Sequence, residues 1–304
     1  MKHSRVWLLL FLCNLFWAGN YVFGKYVITM LSPLWLTFSR WVLALVVLIP
    51  LACLMEKPDW KQVGKQWLPL AFLGLTGVIG YNLFLYSALV HTSATNAALV
   101  TALNPGVIVL FSFFFLREKI TAVQAAGFLL SLLGVLVVLT RGELMQIFAA
   151  SYNTGDLLTL GAVLVWTLYS IMGRKIKGVK PITATAASTL LAVVMLLPFA
   201  IGQEVDFAAL DGLAITGLVY IVLFPSIFSF MFWNMAVREV GANKAGISLN
   251  LIPVITAVIS VVLGEGISGS QVWGGLLVIT GVALASGITE MMRERKKAAE
   301  EVSQ

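Results

Sequence analysis

Residues 95–105, TNAALVTALNP, return 148 positions later as residues 243–253, NKAGISLNLIP, with the proline in register. Downstream, FFFLREKITAVQAAGFLLSLLGVLVVL (113–139) is answered by VVLGEGISGSQVWGGLLVITGVALA (261–285). The offset there is 147, aligning Glu118 with Glu265, Gly127 with Gly274 and Gly134 with Gly281. Upstream, Trp17-Ala18-Gly19-Asn20 aligns with Trp166-Thr167-Leu168-Tyr169, and Gly24-Lys25 with Gly173-Arg174. Self-similarity at a nearly constant spacing means that the chain is built twice from one unit.

The composition names the solvent of that unit. Of 304 residues 60% are hydrophobic and 11% charged, against about 45–50% and 25% in a soluble domain. Such a chain cannot cover a water-facing surface with polar groups, which excludes a soluble enzyme, a disordered protein and a nucleic-acid binder. A helix needs about 20 mostly apolar residues to cross the hydrocarbon core. Five such runs fall in the first half: Val6–Phe23, Pro33–Met55, Trp67–Leu89, Ser93–Leu116 and Thr121–Leu139. Five more follow: Asp156–Gly173, Pro181–Ile201, Leu210–Ala236, Asn243–Leu263 and Gln271–Ile288. They are too continuous for the alternating strands of an outer-membrane barrel. The first run is also longer than a signal-peptide core and lacks a small-x-small cleavage site. The expected fold class is an all-α membrane protein of ten transmembrane helices.

Loop charges test the count, because Lys and Arg accumulate on the cytoplasmic side. With the N-terminus inside, 17 of the 20 basic residues fall in inside segments; Lys25 and Arg141 fall outside, and Arg40 lies within the second span. Both termini are therefore expected in the cytoplasm. Five spans per unit is an odd number, so the second unit enters the membrane from the opposite side. The expected organisation is a first repeat at 1–140, a linker on the non-cytoplasmic side at 141–153, a second repeat at 154–289 and a basic cytoplasmic tail at 290–304. Inverted repeats of this kind are common in secondary transporters, with the solute site near the midplane between the halves.

These residues resemble the ten-helix EamA-type exporters of the drug/metabolite transporter superfamily over about 280 positions. The carriers are FWAGNYVFGK (16–25), Pro33 with Arg40, and the paired fourth and ninth spans holding Pro105 and Pro253, each followed by a turn with Glu118 or Glu265. Arg40 departs from the repeat, since Ser188 stands opposite it. The resemblance implies export or exchange of small metabolites, such as amino acids, across the bacterial cytoplasmic membrane.

Polar side chains inside a span must be satisfied by protein or water and so face the bundle interior. At helical spacing these are Asn14, Trp17, Asn20 and Tyr21; Asn82 and Tyr86; and Thr101 and Asn104. The second half offers Trp166 and Tyr169, Trp233 and Asn234, and Ser248 and Asn250. As a set they would line a solute cavity of aromatics and neutral amides; as individuals, Asn and Thr also tie helices together. Arg40 reads either as a gate or anion clamp, or as a structural residue bonded to its neighbours. Glu118 and Glu265 read as gates or as favourable charges at helix N-termini. Pro105 and Pro253 each remove a backbone donor and should kink their helices. Gly127, Gly134, Gly274 and Gly281 carry the spacing of close-packed helices. Cys13 and Cys53 read as small buried hydrophobes.

No catalytic constellation, metal-ligand cluster or cofactor motif accompanies these residues, and no Asp or Glu lies deep in a span to relay protons. The sequence therefore points to a transporter that exports or exchanges small organic solutes by alternating access. The alternative is a non-transporting membrane receptor or scaffold with the same fold. The expected partners are a small-molecule substrate and membrane lipid, with function as a monomer and no nucleic acid.

Overall fold

The computed structural model describes residues 3–92, 97, 100–117, 120–140, 142–145, 153–204, 206, 210–262 and 269–285. Among these the chain is helical. It begins with α1 (His3–Val27), α2 (Pro33–Glu56), the short α3 (Trp60–Lys65), α4 (Trp67–Leu73), α5 (Tyr81–His91), α6 (Asn104–Leu116) and α7 (Ala122–Leu139). It continues with α8 (Thr154–Lys175), α9 (Pro181–Ile201), α10 (Gly212–Ile221), α11 (Ser229–Val240), the short α12 (Ala242–Ile247), α13 (Leu251–Val262) and α14 (Gly269–Ala285). Six described helical stretches are long and apolar enough to cross a membrane: Ser4–Val27, Pro33–Glu56, Trp67–His91, Thr154–Lys175, Pro181–Ile201 and Gly212–Val240. At 1.5 Å per residue, the 24 residues of α2 exceed the roughly 30 Å hydrocarbon core. Shorter apolar helices such as Asn104–Leu116 accompany them.

The helices turn apolar side chains both inward and outward, as a lipid solvent requires. Phe114, Ile201 and Trp273 are exposed on the outer surface. Cys13 is buried and its Sγ donates to the Ser229 carbonyl, but Cys53 is exposed, correcting the reading of both as buried. A thiol facing lipid carries little penalty, so an apolar run alone does not tell which face of a membrane helix is inside.

The most extensive helix pairings are α7 with α14, α2 with α9, α5 with α8, and α1 with α11. Each joins a helix before residue 140 to one after residue 153. α7 and α14 pack backbone to backbone and run antiparallel. A Cβ on Gly281 would sit 2.5 Å from the Gly127 carbonyl, and one on Gly134 2.6 Å from the Gly274 carbonyl. α2 and α9 are antiparallel too: Ser32 before α2 bonds Gln203 after α9 (2.6 Å), while Glu56 at the end of α2 reaches the start of α9.

The bundle has two ends. At the Glu56 end that carboxylate accepts from the N–H groups of Ile182 (3.1 Å) and Thr183 (2.7 Å) and from the Thr183 hydroxyl (2.7 Å). It thus caps orphan donors of α9 that Lys180, the residue before the helix, leaves unbonded. Glu56→Ala is expected to cost about 1–2 kcal/mol, read as a lower unfolding midpoint, with Glu56→Gln losing less. Arg174 and Arg238 close the same end by donating to the carbonyls of Val237 and Val179.

At the other end Asp211 caps α10 through the Ala214 N–H (2.7 Å) and accepts from the Tyr26 hydroxyl (2.5 Å). The Tyr26 and Ala214 hydrogen bonds hold its carboxyl below the usual 3.8. A depressed carboxyl contributes stability that is present above its ordinary value and lost as pH falls through the depressed one. Below pH 3.8 the wild-type melting temperature should therefore fall more steeply than that of Tyr26→Phe.

Candidate functional site

Two widened helical turns shape the centre of the bundle. Gly74–Gly80 joins α4 to α5 and Val222–Phe228 joins α10 to α11; each is seven residues long and they lie 148 positions apart. The Tyr81 N–H bonds Thr76 and the Ser229 N–H bonds Phe224, five residues back in each case. A five-residue step leaves carbonyls for side chains to claim, and such turns are frequent at functional sites. Asn82 Nδ2 takes those of Gly77 (3.2 Å) and Val78 (2.8 Å), and Ser226 Oγ takes that of Ile221 (2.7 Å).

Asn82 and Ser226 then meet on Arg40, whose side chain is 1% exposed. Its Nε donates to Ser226 Oγ (2.8 Å) and its Nη1 to Asn82 Oδ1 (2.9 Å), with a longer contact to Asn20 Oδ1 (3.5 Å). Nη1 also donates to the Tyr86 hydroxyl, which in turn donates a hydrogen bond to Asn20 Oδ1 (3.0 Å). Among the described residues no carboxylate bonds to Arg40; all its acceptors are neutral.

Beside this cluster is a narrow cleft lined by Trp17, Tyr21, Tyr81, Thr101, Ala102, Asn104, Trp166, Leu249, Ile252 and Pro253. The space open to water centres is about 20 Å³, enough for one or two waters. The cleft is thus nearly closed in this conformation. Trp17 and Trp166 form one wall, their rings edge-on at 5.0 Å, and behind them pack Trp233, at 5.5 and 5.4 Å, and Phe230, at 6.1 and 5.5 Å. Trp17 Nε1 is fixed by the Pro225 carbonyl (3.2 Å) in the second widened turn. Asn104 is 5% exposed, and its Oδ1 has no hydrogen-bond partner.

Of the residues singled out in the sequence, Trp17, Tyr21, Thr101, Asn104, Trp166 and Pro253 line this cleft. The others tie helices together nearby. Asn20, Asn82 and Tyr86 hold Arg40. Asn234 Nδ2 donates to Tyr169 (2.7 Å) and Thr185 (2.9 Å), Asn14 to Ser248 (3.0 Å) and Asn250 to Ser131 (2.9 Å). Trp233 sits in the aromatic pack with Nε1 unbonded.

Near Pro105 and Pro253, where mid-helix kinks are expected, the regular α-helix is interrupted. A turn at residues 102–103 ends one stretch so that Pro105 falls in the first turn of α6, where its missing N–H is an orphan anyway. A tighter three-residue turn, Ser248–Asn250, precedes α13 and Pro253. Glu118 and Glu265 lie outside the described residues. Tyr81 was not singled out in the sequence, though it follows glycines 74, 77 and 80, a three-residue glycine spacing that marks close approach. Gly77 indeed lies against the Tyr169 ring.

The described residues thus form an apolar helical bundle with an aromatic cleft between interrupted helices. The sequence model of the EamA-like transporter family matches residues 5–140 and again residues 153–287. The chain belongs to that family. It is 28% identical over 300 residues to the uncharacterized transporter YyaM of Bacillus subtilis, covering 98% of each chain. It is 30% identical over 217 residues to a probable terminal-alkyne amino-acid exporter of Streptantibioticus cattleyicolor, covering 71% of each. A solved crystal structure superposes with a TM-score of 0.76 at 23% identity, over 94% of this chain and 99% of that one, and shares the fold. The family and these names are those of transporters rather than enzymes.

Proposed function

We propose that the chain exports or exchanges small organic solutes, amino acids or related metabolites, through the Trp17/Trp166 cleft by alternating access. The reading takes ten membrane helices as two inverted five-helix units, residues 1–140 and 154–289. One observation carries it: sequence-equivalent helices run antiparallel, α2 against α9 and α7 against α14. Two copies of one unit have opposed axes only if one is turned over in the membrane. The paired widened turns at a 148-residue offset support the same relation. So does the end of each unit's first helix: Lys25 Nζ donates to the Leu89 carbonyl, and its equivalent Arg174 donates to the equivalent Val237 carbonyl. A two-copy bundle with near-equal halves has two conformations of similar energy, related by exchanging the halves, and the exchange moves the opening from one end to the other.

The cleft's aromatic walls supply stacking surface, and Thr101 and Asn104 supply neutral hydrogen bonds, a match for solutes that are part apolar and part polar. That a relative is named a probable terminal-alkyne amino-acid exporter supports the solute class. Lysines and arginines gathered at the Glu56 end make that end and both termini cytoplasmic, in a bacterial inner membrane. Both halves of the cleft come from one chain, so a monomer suffices. Purified protein in liposomes loaded with unlabelled phenylalanine should accumulate labelled phenylalanine by counterflow. Binding without counterflow, across phenylalanine and a panel of other amino acids, would contradict the reading.

A further inference from the structure

We propose that Arg40 sets the charge selectivity of the cleft, favouring solutes that carry a carboxylate over neutral ones and excluding cations. This inference rests on the transport reading and concerns the same site. Asn20 and Asn82, which hold the guanidinium, are the chain neighbours of Tyr21 and Tyr81, which line the cleft. Arg40 also lies close enough to Tyr81, which lines the cleft, to interact with it electrostatically. Two repeat-related widened turns converge on it through Asn82 and Ser226, an investment of backbone irregularity that mere helix packing does not require.

Its four hydrogen bonds to described residues leave from Nε and Nη1. Neutral acceptors satisfy directions on the guanidinium but do not cancel its charge. An intramembrane cation without a counter-ion is costly, and such residues mark solute pathways by default. With little water to screen it, a unit charge favours a nearby carboxylate over a neutral group by roughly tenfold or more, and penalises an ammonium similarly. The solute's own anionic group would be the missing counter-ion.

Three probes with one ring and one chain separate charge from shape: 3-phenylpropionate, 3-phenylpropionamide and phenethylamine. Binding to purified protein is read by quenching of tryptophan fluorescence, and uptake is read in proteoliposomes. Wild type should prefer the acid over the amide by roughly tenfold, with the amine weakest. Arg40→Lys should keep that order and Arg40→Met should reduce it below about twofold. Equal treatment of acid and amide by wild type, a preference for the amine, or binding of none of the three overturns the proposal, and these hold even where Arg40→Met fails to fold. Binding in the proposed order without uptake overturns the transport reading instead.

Discussion

Gly281→Val is expected to leave little folded protein. A Cβ there would lie 2.4 Å from the Ser131 amide nitrogen and 2.5 Å from the Gly127 carbonyl, and neither backbone atom can move without parting α7 from α14. Overpacking of side chains costs about 1–3 kcal/mol, and a clash with backbone lies at or beyond the upper end. The melting temperature in detergent should drop by roughly 10 °C or more, or the monodisperse peak in size exclusion should vanish. Gly212→Ala, which meets nothing within 4 Å, is the control and should stay within about 0.5 kcal/mol. An unchanged melting temperature for Gly281→Val would mean that the two helices do not touch along their glycines.

Trp166→Ala carries the second large effect, on transport as well as stability. The indole contacts Trp17, Tyr81, Tyr169, Phe230 and Trp233, with centroids between 4.9 and 5.5 Å for the first three and the last two alike. Removing a buried aromatic of this kind costs about 3–5 kcal/mol in a soluble core. It also removes one wall of the cleft and the seal behind it. Counterflow should fall more than about tenfold, the equivalent of losing 1.4 kcal/mol of solute or transition-state contact. Trp273→Ala serves as the comparison, since Trp273 is 70% exposed to the surroundings of the bundle and should change neither quantity. Full counterflow by Trp166→Ala would place the solute path elsewhere.

Much of this arrangement was legible in the sequence because a repeated unit writes its contacts twice. Glycines at equal offsets carry the spacing of close-packed helices, and the structure brings Gly127 against Gly281 and Gly134 against Gly274. Trp17 and Trp166, aligned by the repeat, are in contact. The polar residues were harder to place, because a buried Asn looks the same whether it faces a solute or another helix. Asn14 and Asn250 proved to bond Ser248 and Ser131 across the bundle, while Asn104 keeps an unbonded oxygen at the cleft.

Arg40's partners were hidden for a different reason. Ser226 reaches it from a turn carrying one extra residue per hydrogen bond, which shifts every side chain beyond it by about a third of a helical turn. Helical spacing counted along the sequence cannot register that shift. Ser226 also has no polar mate in the first half, where Val78 stands at the equivalent position, so the repeat gave no second signal.

The central claim is that two overturned copies of one unit exchange conformations around the cleft. It is tested most directly by two spin-label distances in one reconstituted protein, with Cys13 and Cys53 replaced. One pair is placed at Tyr26 and Asp211, the other at their repeat equivalents Lys175 and Val63, at the opposite end of the bundle. On adding a transported solute the two distances should change in opposite senses, one end opening as the other closes. Solute movement with both distances fixed, or with both ends opening together, would contradict the account.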